Sequence, residues 1–168
     1  MGGVNCTPET AALAEALGAA IAREGWTTLS GGRPVGVMEA VSRGASRAGG
    51  LVVALLPGDQ PREATPWATV AVATGIGYAR NSMNVLSSDA VVALPGSTGT
   101  LSEVAYAISY GRPLALLGWQ EQPLRGHEPT RLHTVEETIA WLRVTLAEVA
   151  APDTDNPAPQ APERGPRP

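Results

Sequence analysis

Short apolar runs alternate along this chain with helix-length amphipathic segments, and several runs hand over to the next helix through glycine-rich turns. Parallel strands need a long crossover between neighbours, which a helix supplies, so the alternation specifies an α/β fold: a doubly wound parallel sheet in one domain. Helical spacing predicts a helix over 9–24, with Leu13, Leu17 and Ile21 four apart, and another over 35–48, with Val37, Met38, Val41 and Ala45 inward. Strands are expected over 26–30, 51–56, 69–73, 90–94 and 114–117, and further helices over 79–88 and from the 95–100 turn to Tyr110. Met83 and Leu86 are expected in the core. Thr134 and Glu137 have the spacing of a capping box, which starts a last helix lined by Val135, Ile139, Leu142, Leu146 and Val149.

The two ends depart from this rhythm. A fold of this kind opens with a strand, yet only residues 1–8 precede the first helix, and Gly2-Gly3 resembles the turn after a strand that is missing or truncated. The compact domain is expected over 1–149. From Ala150 to Pro168 the chain is rich in Pro, Asp, Asn and Gln, and too poor in large apolar residues to offset its ordering entropy, so a disordered tail is expected.

Composition narrows the function. The chain contains no lysine; its twelve basic residues are all arginine. A pyridoxal-phosphate enzyme needs a Schiff-base lysine, and a P-loop nucleotide triphosphatase needs the lysine of its phosphate loop. Phosphate recognition here must therefore come from backbone N–H groups, hydroxyls and arginine. A net charge of −4 without a basic cluster argues against nucleic acid as the main partner. The single cysteine, Cys6, cannot form an intramolecular disulfide or a zinc–thiolate cluster, and His127 and His133 lack companions at ligand spacing, so no metal site is expected. No apolar run is long enough for a bilayer and no signal peptide is evident, which leads to the expectation of a cytoplasmic protein without a membrane partner.

Two turns carry the candidate site. Pro95-Gly96-Ser97-Thr98-Gly99-Thr100 follows an apolar strand and opens a helix, where glycines let an anion approach and the helix N-terminus offers free N–H groups. Gly31-Gly32-Arg33-Pro34-Val35-Gly36 is a second such turn, with Pro34 at the first helical position and Arg33 able to clamp a phosphate. Glu103 either completes a capping box with Thr100 or sets a carboxylate beside a bound ligand. Arg80 is either a surface arginine or an anion clamp.

The segment Gly31–Ala40, read as GGRPVGVMEA, resembles the GG..GVMEA motif of the Lonely Guy-like (SLOG) superfamily. Pro95–Thr100 continued to Glu103 resembles its PGGxGTxxE signature. Within the superfamily the molybdenum-cofactor-carrier-like branch looks closest. Members often carry a lysine decarboxylase label, a chemistry that this lysine-free chain cannot perform with pyridoxal phosphate. The resemblance implies a Rossmann-like domain that assembles as a homodimer or homotetramer and binds a phosphate-bearing nucleotide- or pterin-type ligand. On this reading the molybdenum cofactor is a carried ligand and no cofactor is required. The alternative it implies is a nucleoside 5′-monophosphate phosphoribohydrolase of the cytokinin-activating type. Glu103 and Arg80 then match the catalytic pair; Gly31, Gly32, Arg33, Gly36, Gly96, Ser97, Thr98, Gly99 and Thr100 match the binding turns. Ser97 replaces a glycine of the signature. If that position needs positive φ, the substitution costs about 1 kcal/mol.

Overall fold

The computed structural model of the chain describes residues 1–121, 124 and 126–151. The elements run α1 (Pro8–Arg23), β1 (Thr28–Ser30), α2 (Gly36–Arg47), β2 (Val52–Leu56), β3 (Val70–Ala73) and α3 (Arg80–Leu86). Then come β4 (Val91–Ala93), α4 (Thr98–Ser109), β5 (Leu114–Leu117), β6 (Thr130–Leu132) and α5 (Val135–Ala150). The strands form two three-stranded sheets, β1-β2-β3 and β4-β5-β6, and every pairing is parallel.

Period-2 alternation divides the strand side chains between two cores. Val91, Ala93, Leu114 and Leu116 pack with Val85 of α3 and with Val104 and Ala107 of α4. Leu94 and Leu117 pack the other way, onto Leu17 of α1, Val37 of α2 and Ile139 and Leu142 of α5. Helices therefore cover both faces, and the chain is a Rossmann-like α/β domain whose core, lacking phenylalanine, is filled by small aliphatic side chains. Ion pairs from Glu15 to Arg43 and Arg47 join α1 to α2, and Glu24–Arg143 joins the end of α1 to α5. As solvent-screened surface pairs they contribute little, so apolar packing dominates.

Several boundaries differ from the sequence expectation. β1 starts at Thr28 rather than Trp26, and β2 at Val52, with Leu51 left 58% exposed. β6 was not expected: Thr130-Arg131-Leu132 has no apolar run, and its pairing to buried β5 defines it. Met83 and Leu86 are exposed rather than in the core. The face that α3 buries carries Arg80, Asn81, Asn84 and Val85, which turns its other apolar side chains outward.

No strand precedes α1 among the described residues. Met1–Gly3 nevertheless runs beside β4 as the end of a strand would. The Met1 α-ammonium donates to Val92 O (2.6 Å), Leu94 N–H to Met1 O (2.9 Å) and Gly3 N–H to Pro95 O (3.3 Å). The expected tail lies, from residue 152 onward, outside the described residues. No described helix is long and apolar enough to cross a membrane.

Candidate functional site

β4 delivers the chain into α4 through Pro95-Gly96-Ser97. Ser97 is the N-cap, with φ −96° and ψ −159°, extended backbone that any L-residue adopts. The cost anticipated for replacing glycine at this position therefore does not arise. Gly96 is needed for space: a β-carbon there would strike the Thr100 hydroxyl and come within 2.7 Å of Gly3 N. The Ser97 side chain makes no capping bond. The N–H groups of the first α4 turn, from Thr98 onward, have no intrahelical acceptors, and they point with the helix dipole toward whatever sits above them.

The β1–α2 turn supplies the opposite wall. Gly31 lies against Arg80: a β-carbon on it would meet the guanidinium and approach Met38 Sδ to 2.7 Å. Gly32 and Gly36 serve the turn itself. Both have left-handed φ (68° and 56°), Gly32 packed on Ala54 and Gly36 on the carbonyls of Gly3 and Val4. Pro34 precedes the N-cap Val35 instead of opening the helix, because Gly36 takes the first helical position.

Arg80 and Glu103 form the floor, each buried to 6% exposure. Arg80 Nη1 stands 3.5 Å from Glu103 Oε1. Glu103 does not cap Thr100; its Oε1 accepts from Asn84 Nδ2 at 2.7 Å, across from α3. Arg80 Nε and Nη1 have no hydrogen-bond partner among the described residues. Burial pushes the Arg80 pKa down, the nearby Glu103 carboxylate pulls it back up, and Arg33 adds to the lowering. A buried guanidinium with spare donors and a second arginine close by is a site in want of negative charge.

These groups line one cavity of about 780 Å³. Gly31, Arg33 and Arg80 meet Ser97, Thr98, Gly99, Thr100 and Glu103 there, while Gly32, Gly36 and Gly96 support it from behind. Two asparagines escaped the sequence reading. Asn81 Nδ2 donates to Gly99 O (3.3 Å) and Ser102 Oγ (2.8 Å), fastening α3 to the start of α4. Asn84 holds Glu103. The signal available in the sequence was the polar residues at 80, 81 and 84, which share one face of a helix. No cluster of three or more metal-ligating side chains occurs among the described residues.

A Rossmann-like domain with its cavity at glycine-rich strand-to-helix turns belongs to the class of nucleotide- and cofactor-site folds. Residues 1–141 match the SLOG cluster4 family, and the chain belongs to that family, as the two motifs imply. The molybdenum cofactor binding protein of the phototrophic bacterium Rippkaea orientalis is similar at a TM-score of 0.78 and 37% identity, covering 84% of this chain and 91% of that one. The molybdenum cofactor carrier protein of Chlamydomonas reinhardtii is similar at a TM-score of 0.79 and 34% identity, covering 88% of this chain and 94% of its own. A cytokinin riboside 5′-monophosphate phosphoribohydrolase from Mycobacterium tuberculosis is 34% identical over 154 residues, 90% of this chain and 76% of the relative.

Proposed function

We propose that this chain binds a phosphate-bearing nucleotide- or pterin-type ligand in the manner of a molybdenum cofactor carrier. The observation that carries the reading is Arg80, buried at the floor of the cavity with no hydrogen bond to Nε or Nη1, the latter only ion-paired to Glu103. Charge-assisted donors of this kind are costly when left unmet and strong when an anion meets them. The first turn of α4 supplies backbone N–H groups for the same anion, with the Ser97 and Thr98 hydroxyls beside them. The likeness to the two cofactor proteins supports a pterin-type ligand. Calorimetric titration with molybdenum cofactor, AMP and inorganic phosphate tests it. The cofactor is expected to bind most tightly, and Arg80→Ala to weaken binding by about 1.5–3 kcal/mol. Absence of affinity for every phosphate-bearing probe would sink the proposal.

A second reading, a nucleoside 5′-monophosphate phosphoribohydrolase, is favoured by Glu103, which Asn84 holds beside Arg80 in the same cavity. The name of the mycobacterial relative supports it. Water would add to the ribose C1′ as the bond to the base nitrogen breaks, its proton passing to the departing base. The Glu103 carboxylate would stabilise the oxocarbenium-like transition state. Chromatography of AMP and isopentenyladenosine monophosphate incubations decides between the readings: free base that disappears in Glu103→Ala establishes the hydrolase, and its absence leaves the carrier.

Both readings include a homodimer or homotetramer in the cytoplasm. The exposed Met83, Leu86 and Tyr110 of the α3–α4 side support self-association, which light scattering measures.

A further inference from the structure

The cavity changes character between its floor and its mouth. Arg80 and Glu103 at the floor are buried, whereas Pro57, Gly77 and Tyr78, which line the same cavity, are partly or fully open to solvent. At 78% exposure Tyr78 is the most exposed large apolar side chain among the described residues. It packs into neither core, and the stacked aromatic pair among those residues is Tyr106–Tyr110. A single exposed tyrosine is ordinary on a protein surface. What distinguishes this one is its mounting.

The backbone that carries Tyr78 is fastened to the end of β2. Thr74 N–H and Oγ1 both bond Leu56 O, at 3.2 and 2.7 Å. Gly75 N–H bonds Gly58 O at 3.0 Å and Gly77 N–H bonds Pro57 O at 2.9 Å. Gly75 and Gly77 take left-handed φ of 67° and 60°, which turns the chain from β3 into α3 within a few residues. Tyr78 then sits in a single 3₁₀ turn, Gly77–Ala79, whose Gly77 carbonyl accepts from Arg80 N–H. Burial, then Glu103, then Arg33 and Tyr78 shift the Arg80 pKa, so the Tyr78 phenol lies within charge range of that guanidinium.

We propose that the Tyr78 ring is the stacking platform for the planar heteroaromatic part of the ligand, a purine or pterin, whose phosphate lies on Arg80 and the first turn of α4. The inference rests on the anion site proposed above and adds a subsite for the ring.

The order of groups along the cavity matches such a ligand end to end. Arg80 donors without a hydrogen bond stand at the buried end, and the Tyr78 and Pro57 rings at the open end. A phenol has two π-faces and few rotatable bonds, so a ring on a fixed turn loses little entropy when a flat ligand covers it. Stacking on an aromatic side chain accepts any base, because every base has a π-face. Inorganic phosphate would be met by Arg80 and α4 and would leave Tyr78 uncovered.

Titration calorimetry with formycin 5′-monophosphate and ribose 5-phosphate tests the platform. The first is an AMP analogue whose carbon–carbon bond to the ribose resists hydrolysis, so it serves whether the protein carries or cleaves its ligand. The second has the phosphate and sugar without the ring. The unsubstituted protein is expected to bind formycin 5′-monophosphate about tenfold or more tightly than ribose 5-phosphate. Tyr78→Ala is expected to lose that advantage while holding ribose 5-phosphate within about twofold. Its melting temperature is expected to be unchanged, because the side chain supports no core. Tyr78→Phe keeps the ring and is expected to retain formycin 5′-monophosphate affinity within about twofold. Arg80→Ala is expected to weaken both compounds. Formycin 5′-monophosphate bound as tightly by Tyr78→Ala as by the unsubstituted protein would overturn the inference. So would an equal loss in Tyr78→Phe, which would assign the hydroxyl rather than the ring face. Both outcomes leave the anion site standing. Failure of the unsubstituted protein to bind either compound would instead remove the proposed function, and the platform with it.

Discussion

Gly31 and Gly32 are adjacent and both buried, yet they are needed for different reasons, and alanine substitutions separate them. A β-carbon on Gly31 presses on the Arg80 guanidinium and the Met38 sulfur, both ends of flexible side chains. Gly31→Ala is therefore expected to displace Arg80 and weaken ligand affinity at least tenfold, which is about 1.4 kcal/mol. Gly32 has φ 68° and its β-carbon would meet the Ala54 main chain at 2.9 Å. Gly32→Ala is expected to lose about 1–2 kcal/mol from the backbone conformation alone and more from the contact. Urea denaturation beside calorimetry checks the pair, and the reverse ordering would show that the two roles are assigned wrongly. Asn84→Ala belongs to the same scale. It removes the donor to Glu103 Oε1 at a fully buried position, so a loss of about 1–3 kcal/mol in denaturation is expected.

The segment between β2 and β3 shows how one side chain can hold an element. Glu39 on α2 accepts from the Thr65 hydroxyl and from Trp67 Nε1 at 2.7 Å, and the Arg47 guanidinium lies 5.2 Å from the centroid of a Trp67 ring. Thr65 N–H in turn bonds Gly32 O at 2.7 Å, so the tether reaches the glycine turn behind the site. Glu39→Ala is expected to release residues 57–69 without unfolding the domain. Faster amide exchange confined to that stretch and a red-shifted Trp67 emission would report it; unchanged exchange there would refute the tether. The order of this segment comes from contacts with α2 rather than from a local sequence pattern. Local signals carried the rest of the layout. The Thr134/Glu137 capping box opens α5 as its spacing required, with His133 N–H and Thr134 N–H both bonding Glu137 Oε2. The Pro95–Thr100 and Gly31–Gly36 turns sit at strand ends as read, but their division into cavity wall and support needed coordinates. β6 and the outward turn of Met83 were not legible, since neither follows from local pattern: one depends on β5 as a partner, the other on Glu103 across the cavity.

At the scale of the whole molecule, the charge buried between the two sheets links stability to pH. Burial pushes the Met1 α-amino pKa below its ordinary value of 8.0; Glu103 raises it in part and Arg80 lowers it further. The unfolded chain keeps this proton up to about its ordinary value, whereas the folded chain releases it at lower pH. Between the folded value and 8.0 the unfolded state therefore binds more protons, and stability must rise with pH across that window. Below the window both states are charged and the burial cost is present in full; above it both are neutral and the cost is gone. The lowered carboxylates work in a different range. Glu15, held by Arg43, and Glu24, held by Arg143, stabilise the fold above the ordinary carboxylate range and lose that contribution only as acid reaches their folded values. Scanning calorimetry should thus show a melting temperature that falls in acid, climbs again as pH rises toward 8 and levels off beyond it. Acetylating the Met1 amine removes the titrating group, so the climb toward 8 should flatten while the acid limb stays. A climb that survives acetylation would mean that the buried terminus does not set the pH dependence.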